Sequence, residues 1–295
     1  MAEQGPGAHA KPEALNKLKD IINLKYEDFV KELGDMANDD KIVAAIRAGK
    51  RDGKISDERI AFTKISIPVK KLHPTQNEID VDKSLKIQLK DQYPGQIENI
   101  LEGKDVVLKA PIITLNGKYI IDGHHRWSQV YAMNDDATMT ALDMKVDEDP
   151  LTVLKAVQMA IVAKLKDLPV SNVEGHNLLE IEETKLKTYV GSNVSDAAID
   201  KLHKAKKIEQ RTKEDVENYI WDNVSQMQKT SQPIKDAPDR NVMPQTDDAE
   251  DTAGNWSDLL KAGVINFKEP VAHESQRYEM KRLKMFEDFN PEEDK

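Results

Sequence analysis

Pro111-Ile112-Ile113-Thr114-Leu115-Asn116-Gly117-Lys118-Tyr119-Ile120-Ile121-Asp122-Gly123-His124-His125-Arg126-Trp127 is the stretch on which the reading of this chain turns. Apolar residues alternate at Ile113, Leu115, Tyr119 and Ile121, with Asn116-Gly117 between them. A type I′ turn needs positive φ at both central residues, which Asn-Gly tolerates, so the stretch predicts a β-hairpin. Trp127, Val130, Tyr131 and Met133 then fall at helical spacing. Gly123-His124-His125-Arg126 therefore sits where a strand hands over to a helix N-terminus. Unpaired N–H groups and the positive end of the helix dipole favour an anion there, and the two histidines and arginine reinforce the preference.

Working outward, Phe62 to Leu72 alternates as a strand, with Pro68 marking an edge or an irregularity. Leu85 and Leu89, then Ile97, Ile100 and Leu101, predict short helices broken at Pro94-Gly95, and a last strand runs near Met139 to Val146. Strand, helices, hairpin, helix and strand predict an α+β domain with a small mixed β-sheet. Ahead of it, a leader precedes an amphipathic helix carrying Leu15, Leu18, Ile22, Tyr26, Phe29, Val30 and Leu33, which ends near Gly34. A shorter helix follows through Ile42 and Ile46, with the basic cluster Arg47, Lys50, Arg51 and Lys54 at its end.

Beyond Pro150, Leu151, Leu154, Val157, Ile161, Leu165 and Leu168 form a helical stripe, and Ser195 and Thr212 read as N-caps of two further helices. The division expected is 1–60 for leader and helices, 61–150 for the α+β domain and 151–228 for a helical domain. Residues 229–255, with Pro233, Pro238, Pro244, Gly254 and an acidic run, read as a disordered linker. Residues 256–295 regain apolar positions and read as a docking tail for the chain's own body or a protein partner.

The 295 residues carry a formal net charge of −10 and no cysteine, which excludes disulfides and thiolate metal sites. The acidic balance argues against nucleic-acid binding over the whole surface. There is no membrane-length apolar run and no signal-peptide pattern at Met1-Ala2-Glu3, so a cytoplasmic location is expected, or host cytoplasm or virion for a phage protein.

The run from Pro111 to Trp127 resembles the signature of the ParB/sulfiredoxin superfold. Val69-Lys70-Lys71-Leu72-His73-Pro74-Thr75-Gln76-Asn77-Glu78 resembles its first motif, a strand followed by a Pro- and Gln-containing loop, and the two together span roughly residues 60 to 148. The resemblance implies that the turn at Gly123, His124, His125 and Arg126 holds nucleotide phosphates. His124 stands where sulfiredoxins place their reactive cysteine, so sulfiredoxin chemistry is excluded. Gly-His-His-Arg also replaces the Gly-Glu-Arg-Arg with which partition-type ParB proteins bind CTP. The Asp-Gly-His-His-Arg version is most similar to free-serine kinases, and on that likeness the cofactors are ATP, or another nucleoside triphosphate or diphosphate, and Mg²⁺. Glu78 becomes the general base toward a small hydroxyl substrate, and Asp122 a metal ligand or the orienter of a histidine. His124, His125 and Arg126 become stabilisers of the transferring phosphoryl group.

Three function classes follow. The first is a nucleotide-binding enzyme of phosphoryl transfer or phosphate-ester hydrolysis. The second is a ParB-like DNA-binding protein or nuclease, in which the helices at 195–228, with Lys201, Lys204, Lys206, Lys207 and Arg211, imitate a helix-turn-helix. The third is a non-catalytic structural or interaction protein, for example virion-associated, whose helical region and tail bind a protein partner. His176 and His203 read as surface residues, and Trp127 and Tyr131 as core.

Overall fold

The computed structural model describes residues 12–42, 62–93, 95–145, 147–166, 168, 173, 175–243, 265–266 and 271–272. They form a mixed α+β protein with a five-stranded mixed sheet. Its contacts divide the chain into two compact units, both discontinuous in sequence: one drawn from 63–144 and 172–241, the other from 1–62, 145–171 and 242–295. This differs from the division read from the sequence, because the helices after residue 172 join the sheet rather than making a domain of their own.

The smaller unit contains α1 (Pro12–Ile22), α2 (Tyr26–Ala37) and, far along the chain, the 16-residue α6 (Pro150–Leu165). The single amphipathic helix expected from Leu15 to Leu33 is interrupted at Asn23–Lys25. The buried amine of Lys155 on α6 donates to the carbonyls of Ile22 and Leu24, satisfying groups that a helix end leaves open. Leu18, Phe29, Leu33 and Met36 are fully buried, and α2 packs along α6. An antiparallel pair, Ile265–Asn266 with Val271–Ala272, lies beside α6; these are the described residues of the expected docking tail. The second helix expected beyond Ile42, with Arg47, Lys50, Arg51 and Lys54, lies outside the described residues.

The larger unit holds the sheet. Its strands are β1 (Phe62–Pro68), β2 (His73–Pro74), β3 (Ile112–Leu115), β4 (Tyr119–Asp122) and β5 (Thr138–Met144), in the order β1-β5-β3-β4-β2. β3 runs parallel to β5 and antiparallel to β4, and β4 runs parallel to the short β2. The hairpin forms as its sequence predicts. Asn116 and Gly117 have φ of 55° and 61°, the Lys118 N–H donates to the Leu115 carbonyl at 3.0 Å, and a carboxylate oxygen of Asp143 accepts from the Gly117 N–H at 2.6 Å. Phe62 to Leu72 is a strand only as far as Pro68, with a 3-10 turn at Val69–Lys71.

Helices α3 (Val81–Leu89), α4 (Gln96–Glu102) and α5 (His124–Met133) carry the apolar positions expected of them. Trp127, Val130, Tyr131 and Met133 are fully buried, so the aromatic pair of α5 belongs to the core. Three more helices complete the unit: α7 (Glu183–Asn193), which the sequence reading did not foresee, α8 (Asp196–Lys204) and α9 (Lys213–Thr230). The side chains of Ser195 and Thr212 cap α8 and α9 as expected, and α9 packs against α7 and α5.

Residues 229–255 were expected to be a disordered linker, and over 229–243 the structure differs. Ser231 and Arg240 are buried, and segment 231–241 is hydrogen-bonded along the loop that follows β2. Backbone hydrogen bonding orders this segment, and it leaves no periodic apolar signal in the sequence.

Candidate functional site

The site grows from the junction of β4 and α5. Gly123 is the N-cap of α5 with φ of 91°, a left-handed conformation that glycine adopts without strain. A Cβ there would lie 2.7 Å from Ile112 Cγ2 and 2.9 Å from Arg126 Nη2. The guanidinium of Arg126 is thus folded back over the start of its own helix. Its Nη2 donates to Asp122 Oδ2 at 2.6 Å, whereas Arg126 Nε is a buried donor with no acceptor. Asp122, expected to organise metal or a neighbouring histidine, pairs with Arg126.

The histidines face the chain's own backbone. His124 Nε2 accepts the Thr75 N–H at 3.1 Å, and Thr75 Oγ1 donates to the Ile120 carbonyl at 2.6 Å. His125 Nε2 accepts the Asp80 N–H at 3.2 Å. A ring nitrogen that accepts an N–H cannot carry the proton, so each imidazole holds its proton on Nδ1. Burial, aided by the charges of Arg240 and Arg126, pushes the pKa of the 6 % exposed His124 down to about 3. That of His125 also lies well below the usual range, through burial and then the charges of Arg240, His124, Lys83 and Arg126. The pair fastens the loop after β2 to the helix start as neutral groups. Whatever part the pair plays toward a phosphoryl group, it plays as uncharged imidazole at neutral pH.

The loop that carries Glu78 is held from two directions. On one side, Asn177 Oδ1 accepts the Ile79 N–H at 2.9 Å, and the Leu178 N–H donates to the Ile79 carbonyl at 2.7 Å. On the other, segment 231–241 runs along the loop, and the backbone N–H of Arg240 donates to Glu78 Oε2 at 2.8 Å. Arg240 itself is 2 % exposed, and its charge acts on both histidines more strongly than that of Arg126. Sequence reasoning missed this residue, which lies 162 positions from Glu78 among prolines and aspartates.

Beside the loop lies a cleft of about 350 Å³ lined by Asp80, Asp82, Lys83, Lys86, His176 and Tyr189. The Asp80 side chain caps α3 by accepting the Lys83 N–H, and Tyr189 Oη and Lys86 Nζ both donate to Asp82, at 2.9 and 3.0 Å. The cleft therefore offers both signs of charge next to the motif loop.

Among the described residues no group of three or more His, Asp or Glu side chains converges as a metal site. Asp122 is the one carboxylate at the helix start that the sequence assigned to metal, and its Oδ2 is shared with Arg126. Mg²⁺ needs only one or two carboxylates when phosphate oxygens supply other ligands, so this donor set suits a metal that arrives with a nucleotide.

No family model, no curated protein and no solved structure matches the chain.

Proposed function

We propose that the Asp122–Arg126 turn binds the phosphates of an ATP-type nucleotide, with Mg²⁺, and that the protein transfers or hydrolyses a phosphoryl group there. The observation that carries the reading is the buried, acceptor-less Nε of Arg126, folded over the N-terminus of α5, which no side chain caps. A phosphate oxygen would supply the missing acceptor and meet the helix N–H groups at the same place. The resemblance of 69–78 and 111–127 to the ParB/sulfiredoxin superfold, and to free-serine kinases within it, supports the same assignment.

In this reading each residue has a role that its geometry permits. Arg126 binds and orients the phosphates, and Gly123 lets them approach the backbone. Asp122 fixes Arg126 and offers its second oxygen to the metal, which supplies charge neutralisation on the phosphates when bound. His124 and His125 hold the motif loop against the helix start. Glu78, its carboxylate oriented by the Arg240 N–H, takes the proton of an acceptor hydroxyl or water. The acceptor oxygen then bonds to the terminal phosphorus as the bond to the bridging oxygen breaks, releasing the nucleoside diphosphate. The acceptor would enter through the polar cleft beside Asp80.

A non-catalytic reading, in which the fold serves structure or interaction, draws on one specific observation. Glu78 Oε2 and both histidine Nε2 atoms are already engaged inside the protein. The experiment is calorimetric titration of ATP, ADP and CTP with Mg²⁺ onto the native chain and Arg126→Ala, followed by assay of phosphate release. Micromolar binding that Arg126→Ala loses supports the nucleotide site, and turnover lost on Glu78→Gln supports the enzyme. Binding without turnover for any hydroxyl acceptor favours the non-catalytic reading, and no binding to the folded native chain sinks the proposal.

A further inference from the structure

The cleft beside the motif loop, about 350 Å³, lies at the lower end of the range for small-molecule sites. Its sides are tied together by the backbone. The Val81 N–H donates to the His176 carbonyl at 3.1 Å, and Asn177 Nδ2 donates to the Asn77 carbonyl at 2.9 Å. A Cβ built on Gly175, which also lines the cleft, would meet nothing within 4 Å, so that side has room. The cleft adjoins the start of α5, because the Asp80 N–H donates to His125 Nε2 at 3.2 Å and Glu78 precedes Asp80 on the same loop.

The carboxylates of the cleft are already engaged. Asp82 Oδ1 accepts from Tyr189 Oη at 2.9 Å, and Asp82 Oδ2 accepts from Lys86 Nζ at 3.0 Å. Asp80 is 1 % exposed and caps α3 by accepting the Lys83 N–H at 2.9 Å. Two basic side chains remain open. Lys83 and His176 are both exposed, and among the described residues the Lys83 ammonium makes no ion pair and the His176 imidazole no hydrogen bond. A ligand entering here meets a lysine ammonium and an imidazole. An ammonium of its own would have to displace Lys86 or Tyr189 from Asp82, at the cost of leaving one of them without its partner.

We infer that the acceptor of the proposed phosphoryl transfer is a small hydroxyl compound that carries a carboxylate or phosphate-ester anion and no ammonium, held in this cleft by Lys83 and His176. This deepens the phosphoryl-transfer reading and rests on it. It also parts this chain from the free-serine kinases that its motifs resemble, since a zwitterionic amino acid finds no open carboxylate here. The acceptor hydroxyl gives its proton to Glu78 as its oxygen bonds to the terminal phosphorus. The electron pair of the broken P–O bond leaves on the nucleoside diphosphate.

The test titrates glycerate, glycerol phosphate, serine and glycerol onto the full-length native chain, Lys83→Gln, Lys83→Arg and His176→Gln. Mg-ATP is titrated onto the same proteins, and consumption of each acceptor with Mg-ATP is then assayed. Glycerate or glycerol phosphate should bind the native chain at least about tenfold more tightly than serine or glycerol, and should shift the Lys83 and His176 amides. Lys83→Gln should weaken that anion about tenfold, Lys83→Arg should restore most of the loss, and His176→Gln should lose less. Whichever anion is consumed identifies the source as carboxylate or phosphate ester. Mg-ATP binding with no preference for the anions over serine overturns the inference and leaves the nucleotide site standing. So does anion binding that neither Lys83→Gln nor His176→Gln weakens. Failure of the native chain to bind Mg-ATP, whatever the cleft takes up, removes the phosphoryl-transfer reading and the acceptor role with it.

Discussion

Gly123 shows how little freedom the site leaves. Its φ of 91° and the 2.7 Å approach of Ile112 Cγ2 to a hypothetical Cβ disfavour any side chain. Gly123→Ala is expected to cost about 2 kcal/mol or more, from left-handed strain and the clash together, seen as a lower urea midpoint at unchanged slope. His124 gives a pH signature. Its folded pKa of about 3 lies below the ordinary value of 6.5, so as pH falls below the latter the unfolded chain takes up a proton that the folded chain does not. The neutral histidine's contribution is complete above pH 6.5 and is lost progressively toward about pH 3, at up to about 1.4 kcal/mol per pH unit. Urea unfolding between about pH 7 and about pH 5.5, above the range of most carboxylates, should show native losing about 1 kcal/mol more than His124→Gln. Equal losses would mean that the imidazole is not held neutral. Asn116-Gly117 and Gly123 were legible because few residue types tolerate positive φ. The part played by the histidines was not, since a sequence does not reveal that a ring nitrogen accepts from a backbone N–H 45 or 49 positions away.

At the scale of elements, periodicity identified β3, β4, α3, α4, α5 and α6, and cap residues located the starts of α8 and α9. It failed where order comes from tertiary partners. The stripe from Leu15 to Leu33 steps from Ile22 to Tyr26 without losing phase, so the break between α1 and α2 leaves no mark in the pattern. Lys155 marks the break, with its amine on the Ile22 carbonyl at 3.2 Å and on the Leu24 carbonyl. Burial holds its pKa below the usual lysine value. Lys155→Met should leave those carbonyls without their donor and cost about 1–3 kcal/mol in thermal or urea unfolding. A neutral outcome would mean that the helix break does not depend on the amine. The strap at 231–241 escaped for the same reason as the break. Its prolines and aspartates carry no apolar period, and its order lies in hydrogen bonds to a loop more than 150 residues earlier.

For the whole molecule, the fold class followed from the order of elements, whereas the division into units did not. α6 reads as the start of a helical domain yet belongs with α1 and α2, and α7 to α9 complete the unit that contains the sheet. The chain's charge of −10 bears on the DNA-binding alternative, and so does the pairing of its candidate basic face. Lys201 bridges Asp91 and Glu98 at 2.8 and 2.9 Å, Lys207 donates to Asn134 Oδ1, and Arg211 faces Asp200. Cations engaged in this way are a poor footprint for phosphate backbone, so the protein should pass through immobilised duplex DNA at about 50 mM salt without retention. Salt-sensitive retention lost on substituting Lys204 and Lys206 would restore that alternative.

The central claim is that the start of α5 receives phosphate, and backbone amide shifts read that place atom by atom. Titrating Mg-ATP into the labelled protein should shift the amides of Gly123, His124, His125 and Arg126 most, with the Arg126 Nε–H signal moving alongside them, and Arg126→Ala should abolish the response. Shifts confined to other elements, or none at all at millimolar nucleotide, would contradict the account.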